Sequence, residues 1–159
     1  MRFLSGAEEK EALYYLKEAA KVAKESGCLR FKCGSLIVKD GAVIGRGFNS
    51  LPRNLKAARC LKPDLPKDFK SDRSCCVHAE QRAILNALRG SPERLLGSRL
   101  YFMRLDMNDE IVKAGKPYCT ICSKMALDVG IAEFVLWHDE GIAVYDTDEY
   151  NRLSFEYRD

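Results

Sequence analysis

Two short segments, Cys76-Val77-His78-Ala79-Glu80 and Lys116-Pro117-Tyr118-Cys119-Thr120-Ile121-Cys122, hold the residues of this chain best suited to chemistry. His78, Cys119 and Cys122 offer one imidazole and two thiolates, the borderline and soft donors that zinc prefers. A structural zinc closes its tetrahedron with four protein ligands, whereas a catalytic one keeps three and leaves the last position to water or substrate. Glu80 follows the histidine by two residues, is not required as a ligand, and is therefore free to move protons. The pattern points to Zn2+ as cofactor, with acid/base chemistry beside it.

Other readings account for parts of the pattern. A CxxC pair by itself can be a redox dithiol, but no strand rich in β-branched residues stands before it in a thioredoxin-like βαβ order. A purely structural zinc could take Cys75 or Cys76 as its fourth ligand, which would leave Glu80 without a role. A second zinc near Cys60, Cys75 and Cys76 is not expected, because His138 is the one remaining histidine available to complete it.

The elements around these segments place both at helix starts. Ala83, Ile84, Ala87 and Leu88 repeat at helical spacing after His78, and Gly90 with Pro92 beyond it ends the run. Ile121, Met125 and Val129 repeat in the same way before Gly130. A ligand in a first helical turn faces the positive end of the helix dipole, which favours thiolate over thiol. Upstream, Ser5 with Glu8 reads as a capping box for a helix whose apolar stripe is Leu13, Leu16, Ala20 and Ala23, ending near Gly27. Ser35-Leu36-Ile37-Val38 and Ala42-Val43-Ile44-Gly45 flank an Asp40-Gly41 step, a hairpin signal. Further strands are expected at Leu100-Tyr101-Phe102-Met103 and at Ala132-Glu133-Phe134-Val135-Leu136-Trp137. The tail from Tyr145 reads as a short amphipathic helix or an edge strand, with helix preferred. The alternation implies an α/β fold, a three-layer α/β/α sandwich around a mixed sheet of about five strands.

With 159 residues the chain is expected to be a single domain, residues 1–159, with enough apolar content for a core. Its start, Met1-Arg2-Phe3-Leu4-Ser5, lacks an apolar signal segment, and no apolar run reaches membrane-spanning length. A cytoplasmic protein with reduced thiols is therefore expected, leaving Cys28, Cys33, Cys60, Cys75 and Cys76 unassigned. Net charge is only +3, but residues 53–73 concentrate Arg53, Lys56, Arg59, Lys62, Lys67, Lys70 and Arg73 against three aspartates. Such a basic loop of 21 residues without periodicity suits an anionic substrate, or else is a solvated connection.

In Val77-His78-Ala79-Glu80 with Cys119-Thr120-Ile121-Cys122, preceded by the hairpin and by Asn49, the chain resembles the cytidine and deoxycytidylate deaminase superfamily over about residues 33–137. Hairpin, HAE helix, strand, CxxC helix and final strand come in that family's order. Gly47-Phe48-Asn49-Ser50-Leu51-Pro52 and the loop after it are more similar to the deoxycytidylate branch. The resemblance implies hydrolytic deamination at C4 of a cytosine-type nucleotide such as dCMP, with His78, Cys119 and Cys122 as ligands and Glu80 as proton carrier. It also implies a substrate hydrogen bond from Asn49, contact of the Ala79 backbone with the base, and a homo-oligomer. Arg53 follows Asn49 closely, and its guanidinium can pair with phosphate bidentately. A deaminase acting in tRNA or single-stranded nucleic acid, and a non-catalytic zinc-stabilised module, are the alternatives. One departure from the family is Tyr118, which stands where the proline usually precedes the first cysteine and is expected to face substrate.

Overall fold

The computed structural model describes residues 1–55, 58–60, 64 and 75–157. A mixed sheet of seven strands runs in the order β1 (Arg2–Phe3), β7 (Gly141–Asp146), β6 (Glu133–His138), β4 (Arg99–Leu105), β2 (Lys32–Lys39) and β3 (Ala42–Phe48), with β5 (Ile111–Val112) beside β4. All pairs are antiparallel except β4 with β6. The helices are α1 (Gly6–Ala23), α2 (Ala79–Gly90), α3 (Thr120–Asp128) and α4 (Thr147–Glu156).

The period-two alternation of the central strands decides the layering. Leu36, Val38, Tyr101, Met103, Val135 and Val144 point to one face, where they pack with Leu16, Ala19 and Ala23 of α1. Their neighbours Ile37, Leu100, Phe134, Leu136 and Ala143 point the other way, against Ala83, Ile84 and Ala87 of α2, Ala126 of α3 and Tyr150 of α4. With both faces apolar the sheet must be covered twice. Each fully buried Leu, Ile or Phe contributes about 1.5–3 kcal/mol relative to an exposed one, and Leu16, Ile37, Ile84 and Phe134 are all fully buried.

The hairpin turns as expected: Asp40 (φ 50°) and Gly41 (φ 73°) both adopt positive φ, the requirement of the mirror-image turn that matches strand twist. The tail takes the preferred helix, α4 beginning at Thr147, directly after β7, which ends at Asp146 and lies between β1 and β6 rather than at the sheet edge. The sheet has seven strands rather than about five, because β1 and β5 are two-residue pairings too short to carry a pattern, and β7 follows β6 directly as a hairpin. The expected capping box does not form. Ser5 occupies the N-cap of α1 without a side-chain bond, and Glu8 instead accepts from Arg2 (2.6 and 2.7 Å) and Arg99 (3.1 Å). No helix among the described residues is long and apolar enough to cross a membrane.

Candidate metal and catalytic site

His78 is the N-cap of α2 and Cys119 the N-cap of α3, so both segments do sit at helix starts. The first is seated by β3, which approaches α2 so closely that Gly47 is a steric requirement. A Cβ at Gly47 would lie 2.4 Å from both the Ala79 carbonyl oxygen and the Ala83 nitrogen. Just beyond β3, Ser50 and Val77 exchange backbone hydrogen bonds (2.9 and 3.3 Å), and Arg82 donates to the Leu51 carbonyl at 2.8 Å, fixing the chain on either side of His78. Gln81 joins the two helix starts: its Oε1 accepts from the His78 N–H (2.9 Å) and its Nε2 reaches Met125 Sδ of α3 (3.6 Å). At the second start, Cys119 Sγ accepts from the Cys122 N–H at 3.3 Å.

Gly47→Ala should therefore cost at least the ~1–3 kcal/mol typical of overpacking, since backbone rather than a flexible side chain stands in the way. Thermal unfolding should shift down by several degrees, with weaker zinc retention because the first turn of α2 must move. An unchanged melting temperature and zinc affinity would contradict this seating of the helix.

The three sequence-predicted ligands converge. His78 Nδ1 lies 3.3 Å from Cys119 Sγ and 3.3 Å from Cys122 Sγ, and the two sulfurs are 3.0 Å apart. Around a tetrahedral zinc with bonds of about 2.0–2.3 Å, ligand atoms stand roughly 3.4–3.8 Å from one another, so the imidazole–sulfur spacings need a few tenths of an ångström of expansion and the sulfur pair roughly 0.8 Å. The donor set and its spacing fit zinc, and this is the one His/Cys/Asp/Glu group of metal-binding geometry among the described residues.

The electrostatics of the triad agree with that fit. The hydrogen bond from Cys122, with help from His78, holds the Cys119 thiol well below its ordinary range, while the same Cys119 sulfur and burial push Cys122 up. A divalent cation is the partner that lets both sulfurs be thiolates. Glu80 is only 6% exposed, and its carboxyl group lies within hydrogen-bonding reach of Cys122. Burial pushes the Glu80 carboxyl up, opposed by His78 and reinforced by Cys119.

The family model described as the cytidine and deoxycytidylate deaminase zinc-binding region matches residues 9–138. The chain belongs to this family. Within it, the chain is 34% identical over 132 residues to a deoxycytidylate deaminase of Mycobacterium phage D29, covering 77% of this chain and 90% of the phage protein. It is 30% identical over 127 residues to the Saccharomyces cerevisiae deoxycytidylate deaminase, covering 77% of this chain. The chain spans only 36% of that yeast protein and 35% of its Schizosaccharomyces pombe counterpart. Among solved structures, a dCMP deaminase from the cyanophage S-TIM5 in complex with dCMP and dUMP aligns over 82% of each chain at 28% identity with a TM-score of 0.55.

The remaining sequence-predicted residues of this family member lie on separate elements. Ala79 is fully buried in the first turn of α2. Asn49, 9% exposed, accepts at Oδ1 from Ser26 Oγ and the Cys33 N–H (both 2.7 Å) and donates from Nδ2 to the Phe31 carbonyl (3.0 Å). Arg53 is exposed in the short 3-10 turn Pro52–Asn54 with φ 60°, and makes no ion pair among the described residues. Most of the basic loop of residues 53–73 lies outside the described residues; within it, Arg59 pairs with Asp64 at 2.6 Å. Tyr118 is 38% exposed, its ring 4.9 Å from that of Tyr157 in an edge-on contact.

Two contributors escaped sequence reasoning. Gln81 stands three residues after the N-cap His78, a capping-box position that could have been read from the sequence. Tyr150 on α4 is buried, close enough to Glu80 and Cys122 for their charges to raise its hydroxyl pKa further beyond what burial does, and stacks on Phe134 at 4.1 Å. Only tertiary packing brings it there, so no local signal existed.

Proposed function

We propose that this chain is a zinc-dependent hydrolytic deaminase that converts dCMP to dUMP with release of ammonia. The observation that carries the reading is the convergence of His78, Cys119 and Cys122 with the buried carboxyl group of Glu80 beside them. Similarity to deoxycytidylate deaminases supports the choice of nucleotide. His78, Cys119 and Cys122 would hold the zinc, whose Lewis acidity would make water a competent nucleophile at neutral pH.

The remaining chemistry belongs to the protein. Deamination forms a C–O bond at C4, breaks the exocyclic C–N bond, and requires protons from water to reach the ring nitrogen and the departing ammonia. Glu80 carries them: burial raises its affinity for a proton, so it accepts one more readily than an exposed carboxylate. The Ala79 backbone, in the same first turn, contacts the base. Asn49 donates one N–H of its side-chain amide to the Phe31 carbonyl, and the second N–H is the one proposed to reach the substrate. Seven cysteines, none of them in a disulfide among the described residues, accord with a cytoplasmic setting. Exposed Leu85 and Leu88, one turn apart on α2, support assembly into a homo-oligomer.

Arg53 is proposed as the phosphate donor, its exposed guanidinium having no competing carboxylate among the described residues. One charge-assisted bond contributes about 1.5–3 kcal/mol, so dCMP should exceed deoxycytidine in kcat/KM by tenfold or more. Arg53→Ala should close most of that gap by lowering the value for dCMP alone. Steady-state kinetics on both compounds decide it, and equal effects of the mutation on both would remove Arg53 from phosphate recognition.

A further inference from the structure

Asn49 owes its orientation to the loop between α1 and β2, residues 24–31, and to the start of β2. Its Oδ1 accepts from Ser26 Oγ and the Cys33 N–H, and one N–H of its amide goes to the Phe31 carbonyl at 3.0 Å. These bonds leave the second amide N–H a single direction, so a shift of Phe31 turns the group. What holds Phe31 is its ring. The guanidinium of Arg104 lies over it with Cζ 4.9 Å from the centroid, and that of Arg30 at 5.6 Å, both within cation–π range. Arg30 is exposed and adjoins Phe31 on the same loop, so it moves with the ring and cannot anchor it. Arg104 belongs to β4 in the interior of the sheet, directly opposite Cys33 of β2, and gives the ring a fixed partner.

Arg104 also reaches the other side of the site. Its Nη2 donates to the Lys113 carbonyl at 3.1 Å, in the connection from β5 to α3. That connection is pinned to β6, with Lys113 Nζ 3.6 Å from the Trp137 ring centroid and the Ala114 N–H donating to the Trp137 carbonyl at 2.8 Å. The Arg104 Nε is buried with no hydrogen-bond partner among the described residues. A charged donor left so is costly, and the contact with the Phe31 ring is what this side chain gains in return.

We infer that Arg104 is a positioning residue for nucleotide binding, whose guanidinium over the Phe31 ring holds the α1–β2 loop so that Asn49 keeps its second amide N–H aimed at the substrate. The inference rests on the reading of this chain as a dCMP deaminase with Asn49 as a substrate donor. Arg104 acts through Phe31 and Asn49 rather than by touching the nucleotide. With the phosphate assigned to Arg53, Asn49 serves a part of the substrate that dCMP and deoxycytidine share. Loss of Arg104 therefore weakens binding of both compounds and leaves the chemical step, which belongs to the zinc and Glu80, in place.

The test is steady-state kinetics with both compounds on the zinc-loaded full chain. Arg104→Met keeps an unbranched apolar stem without the charge. It should raise KM for each compound roughly threefold to tenfold, the range for one neutral hydrogen bond, with kcat within about twofold and zinc content unchanged. Phe31→Leu should do the same, and the double variant should be no worse than either single one, since both break one contact. Phe31→Tyr keeps the ring and should recover a KM close to that of wild type. In an Asn49→Ala background, Arg104→Met should add nothing. A rise in KM for dCMP alone would make Arg104 a phosphate ligand and overturn the proposal. So would multiplicative effects of Arg104→Met and Phe31→Leu, or a fall in kcat accompanied by zinc loss, which would make Arg104 a prop of the fold. An unchanged KM in Arg104→Met, with wild type turning over dCMP, would sink this inference alone. Wild-type protein that turns over neither compound would remove the deaminase reading and this inference with it.

Discussion

Cys122→Ser protein is expected to lose its zinc and its turnover together. Cys122 is fully buried, 3.3 Å from His78 Nδ1 and 3.0 Å from Cys119 Sγ, so a hydroxyl in place of the sulfur leaves two ligands where zinc requires three from protein. The same holds for Cys119→Ser, whose sulfur additionally accepts the Cys122 N–H at the start of α3. Because folding and metal binding are linked, the melting temperature of either variant should fall toward that of chelator-treated wild type. Zinc content by elemental analysis, activity and thermal unfolding on the same preparation check the three consequences. Full zinc and full turnover in Cys122→Ser would place the site elsewhere.

Glu80→Gln separates proton transfer from metal binding. Glutamine keeps the shape and a hydrogen-bonding carbonyl beside Cys122 but cannot carry a proton, so zinc content should persist while kcat falls by at least about a hundredfold, the low end for a positioned general acid/base. The variant should also unfold at the same temperature as wild type or higher, since a neutral amide avoids the burial cost that pushes the Glu80 carboxyl up. A decline of less than tenfold would exclude Glu80 as the proton carrier and favour a zinc-stabilised module without turnover.

The ligand triad was legible because its information is local. Each ligand stands at a helix start that its own flanking residues specify, and the Asp40-Gly41 turn needs only two positive φ angles to be recognised. Long-range partners defeat the same reasoning. Glu8 has the spacing of a capping residue, yet Arg2, and with it Arg99 of β4, distant in sequence, compete for its carboxylate. Asn49 looks like a free polar group at the end of a strand, but Ser26 and Phe31 of the loop after α1 and Cys33 of β2 surround it. Tyr150 could be read as an apolar-face residue of the last helix; its place beside Glu80 depends on α4 folding back over α3, where Ser123 Oγ donates to Asn151 Oδ1 at 2.8 Å. The short strands β1 and β5 were invisible for a different reason, since two residues carry no periodicity.

The most direct measurement is simultaneous assay of dUMP and ammonia from zinc-loaded wild-type protein, offered dCMP, deoxycytidine and a tRNA fragment in parallel. Equal amounts of dUMP and ammonia from dCMP are expected, at a higher kcat/KM than for deoxycytidine. Only weak, salt-sensitive association with the RNA should be seen. Release of ammonia from the tRNA fragment alone, or from none of the three while zinc remains bound, would contradict the assignment of this chain as a dCMP deaminase.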